Sequence, residues 1–121
     1  MKMGYNTLVV GGDYMKPDDT TANAAYFDLT DRKPKWKASM TQPHGFRSAV
    51  AYFAEAGAWI AVGPNGTDVS ADDGENWAAM RPGKNDAPDA DKNWNAISLP
   101  FVVGPKGRIG TLSADAFTPV N

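Results

Sequence analysis

Hydrophobic and β-prone residues occur in short clusters rather than along a helical stripe. Positions 7–10, 25–27, 48–53, 59–62, 67–70, 96–99, 101–103 and 108–112 each gather a few Val, Ile, Leu, Tyr, Phe, Trp, Thr or Ala residues. Gly, Pro, Asn, Asp or Ser bounds each cluster, which is the pattern of short antiparallel strands. The one helix-compatible window, residues 46–58, has suitable Ala spacing. It is also dense in β-formers and closes on Gly57, so it reads as strand, turn, strand. The predicted class is all-β.

Two of the intervening turns are near copies. Val62-Gly63-Pro64-Asn65-Gly66 and Val103-Gly104-Pro105-Lys106-Gly107 both follow an apolar strand and precede another. Asn65-Gly66 tolerates positive φ, so both copies are expected to form hairpins of one geometry. An offset of 41 relates Gly63 to Gly104, Asp31 to Asp72 and Trp36 to Trp77. With a two-residue adjustment in the third repeat, Leu29-Thr30-Asp31, Ser70-Ala71-Asp72 and Ser113-Ala114-Asp115 then fall into register, their aspartates 41 and 43 residues apart. The repeats run approximately over 1–43, 44–91 and 92–121. The first carries an insertion at 13–21, and the third has a shortened connection at Leu99-Pro100-Phe101 and lacks the later Gly and Trp. A period of about 40–50 residues carrying about four short strands is the signature of a propeller blade. The expectation is therefore an antiparallel, four-stranded blade repeated about three times in one propeller segment, with 84–92 as an inter-blade loop.

The sharpest local motif is Ser70-Ala71-Asp72-Asp73-Gly74-Glu75-Asn76-Trp77, which fits S-x-D-x-G-x-x-W. A short Asp accepts hydrogen bonds from the amides of its own turn. Gly74 supplies a left-handed residue, and Trp77 an apolar plate to pack under the turn. This octamer, with the run from Phe46 to Trp77, resembles the Asp-box or BNR repeat of sialidase-like and photosystem II stability-factor-like bacterial β-propellers. Gly11-Gly12-Asp13-Tyr14 and Gly104-Pro105-Lys106-Gly107-Arg108-Ile109 are similar to flanking blades of that group. The resemblance implies a fold and a structural role for Ser70, Asp72, Gly74 and Trp77, and for Asp31, Trp36 and Asp115 in the other repeats. It says little of chemistry, because one fold hosts many activities.

Charge and composition narrow the partners. Twelve Lys and Arg against 14 Asp and Glu give a net charge of -2, which supplies no electrostatic attraction to nucleic acid or an acidic membrane. The chain has no cysteine, so disulfides, thiolate zinc sites and cysteine nucleophiles are excluded. No apolar run approaches the roughly 20 residues of a spanning helix. Met1-Lys2-Met3-Gly4-Tyr5 has no apolar signal-peptide core, so a cytoplasmic protein is expected if this is the whole chain. The resemblance allows export of a longer parent, and the compartment stays open.

Candidate chemistry is sparse. Asp72 and Asp73 read as a hairpin lock rather than an acid/base pair, and Asp18, Asp19, Thr20 and Thr21 as turn formers rather than a cation loop. Asp86, Asp89 and Asp91 read the same way. His44, the only histidine, and Arg47 open a predicted innermost strand and are the candidate ligand-facing pair. Ser48 lacks nucleophile-elbow spacing. Sialidase-type hydrolysis requires an arginine cluster and acid/base carboxylates. Here the arginines are Arg32, Arg47, Arg81 and Arg108, and the glutamates Glu55 and Glu75 fall in turns. No dinucleotide or haem motif is present. Trp36 and Trp77 are expected in the repeat core, while Trp59 and Trp94 are open between blade packing and sugar stacking.

The sequence thus predicts no catalytic residue, metal or cofactor, and an interaction or scaffold module that self-associates or joins the remaining blades of a longer propeller. The alternative is a glycan-binding or glycoside-hydrolase-like module completed by other blades or chains. If the motif holds its turn, Asp72→Ala costs about 1–2 kcal/mol and Trp77→Ala about 3–5 kcal/mol in denaturant unfolding. Unchanged stability in both variants contradicts the assignment.

Overall fold

The computed structural model describes residues 6–113. Its ten strands are each three to five residues long: β1 Asn6–Val10, β2 Ala24–Asp28, β3 Trp36–Ala38, β4 Ala49–Phe53, β5 Ala58–Val62, β6 Thr67–Ser70, β7 Ala78–Met80, β8 Ala96–Ser98, β9 Phe101–Val103 and β10 Ile109–Thr111. They form three antiparallel meanders, ordered β1-β2-β3, β4-β5-β6-β7 and β8-β9-β10. The protein is all-β. Among the described residues the central sheet has four strands and the first and third have three, in keeping with a complete middle unit flanked by partial ones.

Registers follow the side-chain alternation. In the central sheet Val50 pairs with Ala61 and Ala61 with Asp68, while Ala49 pairs with Val62 and Val62 with Thr67. Successive residues of β5 therefore face opposite sides. Ile60 and Val62 pack with Trp94 and Val102 toward the third sheet. Ala61 packs with Ala24 and Trp77 toward the first. Both faces of β5 are apolar because both are covered. This central strand is the core of the molecule, with Ile60, Ala61 and Val62 fully buried.

The outer strands β3 and β7 escape a sequence reading. Trp-Lys-Ala and Ala-Ala-Met are only three residues each, too short for a period to be diagnostic, and Ala-Ala-Met does not alternate. Their extended form comes from pairing, Phe27 to Trp36 and Val69 to Ala78. Tertiary context here outweighs propensity.

The two copied turns differ. Gly63 N donates to Gly66 O at 3.0 Å, closing a four-residue link. The second copy is one residue longer, with Gly104 N donating to Arg108 O at 2.8 Å around a single 3-10 turn at Pro105–Gly107. Lys106 and Gly107 there have positive φ, at 60° and 73°, and neither Asn65 nor Gly66 does. Gly66 is required for another reason: a Cβ at that position would overlap the His44 ring. Close approach, not a left-handed turn, selects this glycine.

Candidate functional site

The turn joining β6 to β7 is held by its own side chains. The Ser70 hydroxyl donates to Asp72 Oδ1 at 2.9 Å and accepts the Gly74 amide at 2.8 Å. Asp72 Oδ1 accepts the Asn76 amide at 2.8 Å, and Oδ2 accepts Asn76 Nδ2 at 2.8 Å. Asp73 and Gly74 stand at φ 61° and 92°. A Cβ on Gly74 would also press on Leu8, with Cδ2 at 2.7 Å, so glycine is needed there on two counts.

The same turn staples two sheets. Trp77, 4% exposed, packs with Ala24 and Ala61, and its Nε1 donates to Ser39 Oγ at 3.2 Å. Ser39 Oγ in turn donates to the Gly74 carbonyl at 2.6 Å. The Met40 amide donates to Glu75 O and the Trp77 amide to Thr41 O, at 2.7 and 3.0 Å. Asp73 Oδ2 accepts the Asn6 amide at 3.0 Å, its carbonyl accepts Asn6 Nδ2 at 2.8 Å, and Oδ1 accepts Trp59 Nε1 at 2.7 Å. Adjacent carboxylates thus do different work: Asp72 closes the turn and Asp73 ties it to β1 and β5.

The first repeat does not reproduce this arrangement. Asp31 lies in an exposed turn and pairs with Lys37 at 3.1 Å, a contact that raises the Lys37 pKa. Asp28 Oδ1, not Asp31, accepts the Thr30 amide at 2.9 Å. The cause is legible in the alignment. Leu29, Lys33 and Lys35 stand where the central repeat has Ser70, Gly74 and Asn76, so hydroxyl, glycine and amide are all missing. Trp36 is 53% exposed and tilts against Phe27 at 5.3 Å. The sequence places it in the core, but among the described residues no sheet lies on its side as the first sheet lies on Trp77. Asp115 falls outside the described residues.

His44 and Arg47 belong to a second cluster whose centre is Asp68 on β6. Arg47 Nε and one NH2 hydrogen go to Asp68 Oδ2 at 2.8 and 2.6 Å. The NH1 hydrogens go to Phe46 O at 2.8 Å and Asn65 Oδ1 at 2.7 Å. The other NH2 position abuts His44 Nδ1 at 3.0 Å. A carboxylate oxygen only accepts, so His44 Nδ1–H donates to Asp68 Oδ1 at 2.9 Å. The His44 amide adds a bond to Asp68 Oδ2 at 3.0 Å. Asn65 Nδ2 extends the network to His44 O and Asp18 Oδ1, both at 2.9 Å. Burial lowers the Arg47 pKa and the Asp68 pair opposes that shift; the guanidinium remains charged.

Arg47 is therefore not ligand-facing. It is 1% exposed, and its five N–H groups all point at protein atoms. His44 keeps an exposed edge, yet its Nδ1 is engaged and its Nε2 sits against Gly66. Gly45 and Gly63 permit the same close packing: a Cβ on either would overlap the Pro17 or Phe46 carbonyl. Together these residues clamp the insertion at 13–21 and the lead into β4 onto the β5–β6 turn. Asp68 carries no motif that marks it in the sequence. The available signal was an acidic residue at an inward position of a strand, next to Thr67 and Val69.

The remaining acidic candidates serve their own loops. Asp19 accepts the Thr21 hydroxyl and amide, which lowers its pKa. Asp86 Oδ2 accepts the Gly83 amide at 2.7 Å. The carbonyls of Asp89 and Lys92 hold Arg108, whose guanidinium lies 4.1 Å over Trp94. Among the described residues no group of three or more His, Asp or Glu side chains is placed to hold a metal. A cleft of about 1350 Å³ opens between the outer strands of the central and third sheets, lined by Val69, Trp77, Met80, Trp94, Val102 and Leu112 among others. Neither His44 nor Arg47 lines it. No family model, curated protein or solved structure matches the chain.

Two outcomes follow from these clusters. Arg47→Ala leaves the buried Asp68 carboxylate without its guanidinium, held by His44 alone, and lowers unfolding stability by about 3–5 kcal/mol, while Arg47→Met with Asp68→Leu loses much less. Urea titration distinguishes them, and an Arg47→Ala variant as stable as the parent contradicts the clamp. For Asp72, burial raises the pKa, but the hydrogen bonds from Asn76 and Ser70 outweigh it and the net shift is downward. A depressed folded-state pKa contributes stability that is complete above the unfolded value of about 4 and lost as pH falls through the folded one. Asp72→Asn should therefore flatten the loss of melting temperature below about pH 4; parallel curves for variant and parent contradict this.

Proposed function

We propose that the chain is a noncatalytic interaction or scaffold module, a segment of an Asp-box β-propeller that self-associates or joins further blades. The supporting observation is the use made of its chemically capable side chains. Ser70 and Asp72 close their own turn, Asp73 and Trp77 bind that turn to the first sheet, and Arg47, His44 and Asp68 bind loop to strand. Each group carries a structural load that substrate contact would interrupt. The surface left for recognition is the set of exposed sheet faces with the loops at 13–21 and 84–92.

A second reading, glycan binding, draws on Trp36. An exposed indole braced by Phe27 presents an apolar plate of the kind that stacks on a sugar ring.

A glycan array, with hydrolase assays on sialosides and simple glycosides, tests both readings on the chain in whatever assembly it adopts. The first predicts no turnover and no saturable binding. Binding lost in Trp36→Ala without a change in melting temperature establishes the second, and reproducible turnover overturns the first.

A further inference from the structure

The two outward sheet faces carry an unusual composition for surfaces in water. On the first sheet, the registers Val9–Ala25, Thr7–Phe27, Phe27–Trp36 and Ala25–Ala38 place these six side chains on the face turned away from the central sheet. On the third sheet, Ala96 and Ile109 pair with Val103, and Ser98 and Thr111 with Phe101, defining the corresponding face. All six of these third-sheet residues are exposed, while Ile97, Val102 and Gly110 point inward. Among the described residues neither strand face contains a charged side chain, in a chain that is 21% charged. An exposed apolar sheet face is ordinarily a contact surface.

The internal repeat says what such faces contact. Aligning Val10-Gly11, Val62-Gly63 and Val103-Gly104 makes Val9, Ala61 and Val102 equivalent. It likewise matches the pairs Leu8 and Val10, Ile60 and Val62, and Phe101 and Val103. Where a neighbouring sheet exists, these positions are buried: Ala61 against the first sheet, Val102 against the central one. Where the described residues supply none they are open, with Val9 48% and Phe101 49% exposed. Trp36 stands to Trp77 as Val9 does to Ala61. The two open faces are therefore unlike each other, and each is the counterpart of a face that its opposite covers inside the chain. A depression of about 410 Å³ lined by Val9, Ala25, Trp36 and Ala38, with neighbouring residues, lies in the first.

We infer that two copies of this chain associate head to tail, the Val9–Trp36 face of each packing on the Phe101–Val103–Ile109 face of the other. The contact repeats the internal one between first and central sheets, in which Ala61 and Trp77 meet Leu8, Val10 and Ala24. Pairing like faces would instead set Trp36 on Trp36, an arrangement with no counterpart in the chain. A heterologous contact either closes or propagates. Two copies contribute six sheets, within the range of about 4–8 that closed propellers use, so the ring closes at the dimer. This inference rests on the proposed reading of the sheets as members of one repeat.

Analytical ultracentrifugation of the full chain, over a concentration series, is the test. The expected species has twice the 12.9 kDa chain mass. Trp36→Glu and Ile109→Glu, both at exposed positions, should each weaken association by more than about tenfold, since a charge would be buried without a partner. Val9→Lys provides a second probe of the first face, and circular dichroism confirms that each variant is folded. Mixing Trp36→Glu with Ile109→Glu unites one intact face of each kind and restores a heterodimer, which a like-to-like interface does not do. A monomer at the highest soluble concentration overturns the inference, as does an assembly indifferent to all three substitutions or variants that do not complement. If the chain is monomeric but Asp72→Ala and Trp77→Ala remain destabilising, the head-to-tail contact fails and the repeat stands. If those two variants are silent, the repeat itself fails.

Discussion

A β-sheet has two faces, and the stability of this molecule depends on how many of them are covered. The central sheet has both covered, and its middle strand is accordingly apolar on both sides, with Ile60 and Val62 facing one neighbour and Ala61 the other. Burying such residues contributes roughly 1.5–3 kcal/mol for each large aliphatic side chain. That gain requires adjacent sheets to stay aligned, because the two apolar faces of β5 are buried only where a neighbouring sheet covers them. The alignment comes from polar contacts concentrated in the turn between β6 and β7.

That turn shows how a short motif acts beyond its own residues. Ser70, Asp72 and Asn76 make the loop rigid. Rigidity then aims Asp73 at Asn6 and Trp59, and Trp77 at Ser39. A turn of the wrong shape would leave the Trp59 indole N–H without its acceptor and Trp77 without its cover. Buried donors without partners are destabilising by about 1–3 kcal/mol each, so local closure and sheet packing support one another. The Arg47–Asp68 pair performs a comparable task at the other end of β6, with three close-packed glycines giving the backbone access. Here a buried charge fixes where loops dock; replacing it with apolar residues would preserve packing but remove the direction.

Much of this architecture is legible in the residues alone. Strands around Leu8, Tyr26, Val50, Ile60, Val69, Ile97, Val102 and Gly110 follow from β-prone clusters and turn formers, because a strand that packs must show its pattern. Strands β3 and β7 did not follow, since Trp36–Ala38 and Ala78–Met80 are extended through pairing and not through their own preference. The internal hydrogen bonds of the Ser70–Trp77 turn agree with the chemistry its residues suggested. The equivalence of Asp31 with Asp72 overreached, because matching an aspartate and a tryptophan does not supply the hydroxyl, glycine and amide between them. Arg47 was misplaced for a different reason. Its partner Asp68 is 21 residues away, and nothing local distinguishes a guanidinium that meets a ligand from one enclosed by its own fold.

The central claim is that the 70–77 turn couples the first sheet to the central one. Native-state hydrogen exchange on Trp77→Ala tests it most directly. The account predicts that amide protection falls together in β2 and β5, whose Ala24 and Ala61 pack against the missing indole. Loss confined to β6 and β7, with β2 as protected as in the parent, would contradict it.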